Sequence, residues 1–189
     1  FANRSLTISD GQGEPERYAG ATVSAALFSM IGARPIIGRD FGPEDDRPGA
    51  APVVMLSHEL WTLRYQQQMD VVGRSIMVNG AAHTVIGVMP ADFLFPENER
   101  LWVPIAPIQD STARDERGAL HSVFARMKPG ITRQQAESEF EGIASRLAAA
   151  YRKENENWTI TTRTIGEWFL PEQVELVMLT MMGAVTLVL

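Results

Sequence analysis

Fourteen residues at the C-terminal end, LVMLTMMGAVTLVL from Leu176 to Leu189, constrain this chain more than any other stretch. They carry no charge, and Met178, Met181, Met182 and Val185 make every side of the helix they would form apolar. A surface helix shows a polar stripe to water, and this run has none. It must therefore be surrounded by hydrocarbon or by a protein core. A run of about 10–14 apolar residues is the usual size of a buried helix, whereas a membrane span needs about 20. Two further features favour hydrocarbon. The run reaches Leu189 with no cap, Gly or Pro to close it. Upstream, Trp168-Phe169-Leu170-Pro171 puts aromatic rings where a membrane interface takes them. The chain also starts at Phe1, without an initiator Met or a signal peptide. The expectation is a piece of a larger membrane protein: one extramembrane domain, then the truncated opening turns of a transmembrane helix. Trp168, Phe169, Leu176, Leu179, Val185 and Leu189 are the residues expected to mark where the chain enters the bilayer.

The rest of the chain has the composition of a folded domain. It is 45% hydrophobic and 21% charged, enough for a core in one ordinary domain or two small subdomains. The net charge of −6, with 17 scattered basic residues, argues against a nucleic-acid surface, which needs clustered Lys and Arg. The absence of cysteine excludes disulfides, thiol catalysis and Cys-ligated zinc.

Local patterns predict the elements. Residues 1–19 read as a strand, a turn at Asp10-Gly11 and Gly13, and a return strand. Residues 22–32 read as a short helix stopped by Gly32. The loop 38–52 holds three prolines and the acidic triplet Glu44-Asp45-Asp46. Cation-binding loops space their carboxylates at alternate positions, so the triplet reads as a solvated loop. The apolar run 53–57 reads as a strand buried on both faces, and 58–69 as a helix with Ser57 as N-cap and Leu60, Trp61 and Tyr65 inward. Asn79-Gly80 between two β-favouring runs, 75–78 and 81–89, signals a hairpin, because both central turn residues need positive φ. Pro90 ends the return strand, and 101–105 is a further short strand. A β–α–β pattern follows. Strands are expected at 122–127 and 158–163, around a helix from Thr132 to about Tyr151 with a Thr132/Gln135 capping box. Ala136, Phe140, Ile143, Ala144, Leu147, Ala148 and Tyr151 form its apolar stripe, about 20 Å long, expected to cover a sheet.

Motifs for chemistry are missing. His58, His83 and His121 have no metal-ligand spacing. Ser57 and His58 are sequence neighbours whose side chains diverge, so they do not make a nucleophile and base. No nucleophile elbow, phosphate-binding P-loop or dinucleotide fingerprint is present. The Glu137/Glu141 pair reads as the solvated face of a helix. No catalytic, cofactor or metal site is expected, and the chain is not expected to be an enzyme.

Several stretches, taken in order, carry a resemblance. They are GATVSAALFSMIGARPIIGRDF (20–41), PEDDRPGAAPVVMLSHELW (43–61), VVGRSIMVNGAAHTVIGVMPADFLFP (71–96), LWVP (101–104) and FARMKPGITRQQAESEFEGIASRLA (124–148). The succession resembles the extracytoplasmic core domain of MacB-like (FtsX/MacB-type) ABC transporter permeases, with the large duplicated permeases of soil bacteria such as the Acidobacteria as the nearest subgroup. Tyr65–Asp70 departs from the turn that often follows the LW helix there.

That resemblance implies an α+β fold: a porter-like βαβ subdomain from residues 1–60 and 119–165, and an inserted, mainly β subdomain at 61–118. A membrane-proximal link at 166–175 and the start of a transmembrane helix at 176–189 would follow. It also implies a place in the bacterial inner membrane, with residues 1–175 on the periplasmic side. The acidic flank Glu167, Glu172 and Glu175, free of Lys and Arg, agrees with this. The implied partners are an ATP-binding subunit or domain, a second permease copy or half, and the lipid bilayer. The implied function couples cytoplasmic ATP hydrolysis to export or mechanical work. An extracytoplasmic ligand-sensing module of a signalling protein is the alternative, and a soluble enzyme fragment would require the C-terminal run to fold into a core.

Overall fold

A computed structural model describes residues 1–9, 11, 14–105, 123–152 and 160–169. The chain divides into two compact units, Phe1–Arg126 and Met127–Leu189.

Among the described residues, the first unit is organised by seven strands: β1 (Ala2–Ile8), β2 (Glu16–Val23), β3 (Ile37–Gly38), β4 (Val53–Leu56), β5 (Ser75–Val78), β6 (Ala81–Val88) and β7 (Leu101–Pro104). Their order is β3-β6-β4-β7-β2-β1-β5, and β5 also pairs with β6. Six of the strands thus form a ring, with β3 appended to the far end of β6. The weakest joint of that ring is β1 to β5, a single Ile8–Val78 pair. It is reinforced at the hairpin turn. Asn79 and Gly80 have φ of 50° and 79°, as the tight turn requires. Asn79 Oδ1 accepts from Thr7 N, and Asn79 N donates to Thr7 O, both at 2.8 Å.

Alternation along the strands makes two cores, as the period-2 geometry of a strand dictates. Val54 and Leu56 of β4, Leu101 and Val103 of β7, and Ile76 and Val78 of β5 face one core. The helix α2 (His58–Tyr65) closes that core with Leu60, Trp61 and Tyr65. Ser57 caps the helix by accepting from Leu60 N at 3.1 Å, and Trp61 donates through Nε1 to Gln68 O at 2.9 Å. Val53, Met55 and Trp102 face the other core, which α1 (Leu27–Ile31) and Phe41 cover. β4 and β7 are buried on both faces, as expected of the 53–57 run.

Gly87 sits where β6 bulges against β4. A Cβ there would meet Arg39 O, Ile37 O and Met55 Sδ, each at 2.9 Å. Only glycine lets β3 approach so closely.

Three expectations about secondary structure need correction. The helix expected at 22–32 begins at Leu27, because Thr22 and Val23 continue β2 and pair in parallel with Val103 and Pro104. Ladder bonds outcompete local helix propensity for these β-branched residues. The helix expected to reach residue 69 ends at Tyr65, where Gln66 and Gln67 take φ of 51° and 57°.

The third correction concerns the βαβ pattern. In the second unit α3 (Arg133–Ala150) has the expected capping box, with Thr132 and Gln135 bonding reciprocally. Its flanks are not strands: residues 123–127 and 160–164 form no ladder. Val123 is 85% exposed, so its β propensity finds no pleated surface to fit. No residue of α3 is buried. Three of the seven stripe positions are alanine, which brings little area to bury, and Leu147 stays 41% exposed.

Candidate functional site

The segment expected to join the domain to a membrane helix is visible as far as α4 (Ile165–Phe169). This helix is short, and helices of a single turn or so are marginal without external support. The support begins locally. Thr164 is the N-cap: its Oγ1 accepts from Glu167 N at 3.1 Å, and Glu167 Oε2 accepts from Thr164 N at 2.8 Å. This reciprocal pair is a capping box, which satisfies two otherwise orphaned backbone donors.

Support from a distance comes from Arg133, in the first turn of α3. Its guanidinium pairs with Glu137 at 2.8 Å and with Glu167 at 3.0 Å, and donates to Thr162 O at 3.0 Å. Thr162 Oγ1 donates to Glu137 Oε1 at 2.6 Å. One planar cation thereby ties the start of α3 to both the approach and the first turn of α4. Arginine suits this role because its fork of donors serves several acceptors at fixed angles.

The charges answer accordingly. Glu137 is held below the usual carboxylate range, mainly by the Thr162 hydroxyl and then by Arg133. Glu167 is also held low, first by the Thr164 backbone N–H and then by Arg133. Arg133 is raised in turn by Glu137 and then by Glu167. These groups are exposed, so water screens them, and their value is geometric rather than a large stability term.

Of the residues expected to mark membrane insertion, Trp168 lies in α4 and is 41% exposed, and Phe169 is its last residue. Leu176, Leu179, Val185 and Leu189 fall outside the described residues. Among the described residues no helix is long and apolar enough to cross a membrane. The sequence alone does not mark Arg133, Thr162 or Thr164, and it puts Glu137 on a solvated helix face. The Arg133/Glu137 spacing and the TIGE pattern at 164–167 were available signals. The 34-residue separation of Arg133 and Glu167 was not.

Two other polar groupings are internally balanced. A surface cleft of about 430 Å³ is lined by residues of β2 and α2 together with Gln66 and Arg100. Its arginines are paired there, Arg64 with Glu16 at 3.3 Å and Arg100 with Glu59 at 2.5 Å. The acidic triplet is partly buried rather than solvated. Asp45 is 5% exposed, grips Arg39 through two bonds of 2.5 and 2.9 Å, and accepts from Gly42 N at 2.7 Å. Arg39 in turn holds Asp45 below the usual carboxylate range. Asp46 accepts from Ala25 N at 2.9 Å. The loop is thus held together by Asp45 and tied by Asp46 to the segment between β2 and α1. Among the described residues no group of His, Asp and Glu is arranged to hold a metal ion.

Two solved structures share this fold. The periplasmic region of MacB from Actinobacillus actinomycetemcomitans is 14% identical with a TM-score of 0.55, over 84% of this chain and 74% of that one. A domain of a permease protein from Porphyromonas gingivalis is 15% identical with a TM-score of 0.50, over 77% of this chain and 66% of its own length. The extracellular domain of the ABC-type transporter YknZ from Gram-positive bacteria is 16% identical with a TM-score of 0.43, over 55% of this chain. The chain spans about half of that domain, 51%. No curated protein matches the sequence. The family of MacB-like periplasmic core domains matches residues 2–143, three quarters of the chain, and the protein belongs to that family.

Proposed function

We propose that this chain is the extracytoplasmic domain of an ABC transporter permease that couples cytoplasmic ATP hydrolysis to export or to mechanical work across the bacterial inner membrane. Family membership supports the class of protein. The observation that carries the coupling is the Arg133 network, which fastens α3 to the helix leading toward the apolar run at Leu176. A domain joined to a membrane helix through a fixed turn moves with that helix, whereas a flexible linker dissipates the motion.

In this reading residues 1–175 lie outside the membrane, and Trp168 and Phe169 approach its surface before Leu176, Leu179, Val185 and Leu189 enter it. The partners are an ATP-binding subunit or domain, a second permease copy or half, and the bilayer. The division into a porter-like part (1–60 and 119–165) and an inserted β-rich part (61–118) belongs to the same proposal. The ring of strands draws on both parts, so the proposed boundary follows the chain rather than a gap in the sheet.

The test is a long Gly/Ser insertion between Ile165 and Leu176 in the complete permease. Transport, or ATP-dependent movement of the domain, is expected to fall sharply while expression and membrane insertion persist. Unchanged coupling would remove the rigid-link mechanism.

A further inference from the structure

The first unit begins at Phe1 and hands the chain to the second unit after Arg126. Both ends meet in one aromatic stack. Phe1 and Phe124 lie nearly parallel, 6° apart, with centroids at 5.1 Å. Phe95 contacts both, at 6.0 Å from Phe1 and 5.2 Å from Phe124. Behind Phe95 the stack continues through Phe93 to Trp102 and Phe28, which are fully buried. Trp102 Nε1 donates to Phe95 O at 3.0 Å, locking the middle ring's backbone to the core. Arg126 adds a polar clasp by donating to Met30 O at the end of α1.

This arrangement is not what ordinary core formation requires. Residues 123–126 form no strand, and Val123 is 85% exposed beside the stacked Phe124. Side chains, and not a ladder, define where the chain leaves the unit. Stacked and edge-on ring pairs are directional as well as apolar, so they fix orientation as well as proximity.

We propose that Phe1, Phe95 and Phe124 form a latch that locks the exit segment of the first unit to its starting residue, so that displacement of one end of the unit is delivered to the other. The proposal deepens the coupling function above and rests on it for its purpose. The latch itself is measurable in the chain alone, without transport, so the two ideas fail separately.

The chain contains no cysteine, which makes site-directed spin labelling direct. Labels at Val123 and Leu63, both strongly exposed, would report the exit segment against the body of the unit. The full chain is expected to give one narrow distance distribution. Phe124→Ala should broaden it about twofold, on the scale of a freed segment. Phe124→Tyr should keep it narrow. Phe1→Ala should also broaden it, although Phe1 is 123 residues away in sequence from the reporting segment. A second label pair at Leu63 and Met69, away from the stack, should stay unchanged and would expose general unfolding. An unchanged distribution in Phe124→Ala overturns the latch. Broadening in Phe124→Ala but not in Phe1→Ala overturns the link between the two ends.

Discussion

Asn79 and Thr7 are joined by two hydrogen bonds of 2.8 Å, one to the Asn79 side chain and one from its backbone. The turn residue of one hairpin thus completes the end of a strand 72 positions away. Replacing Asn79 by Ala removes the acceptor and puts a residue averse to positive φ at 50°. The expected loss is about 2 kcal/mol of unfolding free energy. Asn79→Gly keeps the turn and loses the acceptor alone, so about half of that loss should remain. Urea denaturation of both variants checks the pair.

Gly87→Ala tests the close approach of β3 to β6. The added methyl meets two carbonyl oxygens and the Met55 sulfur at 2.9 Å, and backbone oxygens cannot retreat as a side chain can. A destabilisation of about 1–3 kcal/mol is expected, with lost amide protection at Ile36 and Arg39, which donate to Val88 O and Ile86 O. Hydrogen exchange read by mass spectrometry would localise it.

Asp45→Ala should free the loop 39–46. It removes the acceptor for Gly42 N and both bonds to Arg39, and leaves that guanidinium half exposed. A cost of about 1–3 kcal/mol is expected. Asp45→Asn, which keeps one acceptor oxygen, should cost less. Thermal melts of the two variants give the order.

Acidification should loosen the link before it unfolds the strand ring. Glu137 and Glu167 are both lowered from the ordinary glutamate value of 4.5. Their pairing is therefore complete above that value, and it disappears as the pH falls through the lowered folded values. Amide exchange at Thr164 and Glu167, corrected for intrinsic pH dependence, should accelerate in that acid window. In Arg133→Ala it should already be faster at neutral pH. A profile that is the same with and without Arg133 would show that the capping box alone holds α4.

What the sequence disclosed was local. The Asn79-Gly80 turn, the Ser57 cap and the Thr132/Gln135 box each lie within four residues, where propensity and side-chain reach decide the outcome. Double-sided burial of Val53–Leu56 was also legible, because an unbroken apolar run has no solvent face. Ring closure through Ile8–Val78 and the span from Arg133 to Glu167 were not, because they depend on the placement of distant segments. The described parts of the strands expected at 122–127 and 158–163, residues 123–127 and 160–163, form no ladder for a related reason. Val123 and Ile160 have β propensity, but a strand needs a neighbour, and the described residues supply none. Membership of the MacB-like family was readable because it rests on the order of many weak motifs, which needs no geometry.

A sheet that returns to its own first ladder has a fixed circumference. A one-residue insertion in the turn at Asn79 cannot fray harmlessly at a border, as it would in an open sheet. It would shift Val78 away from Ile8 and carry the mismatch around through β1, β2 and β7. Length variation in such a protein is therefore confined to segments that stand off the hoop, and the two-residue turn is the joint whose length the rest of the molecule cannot renegotiate.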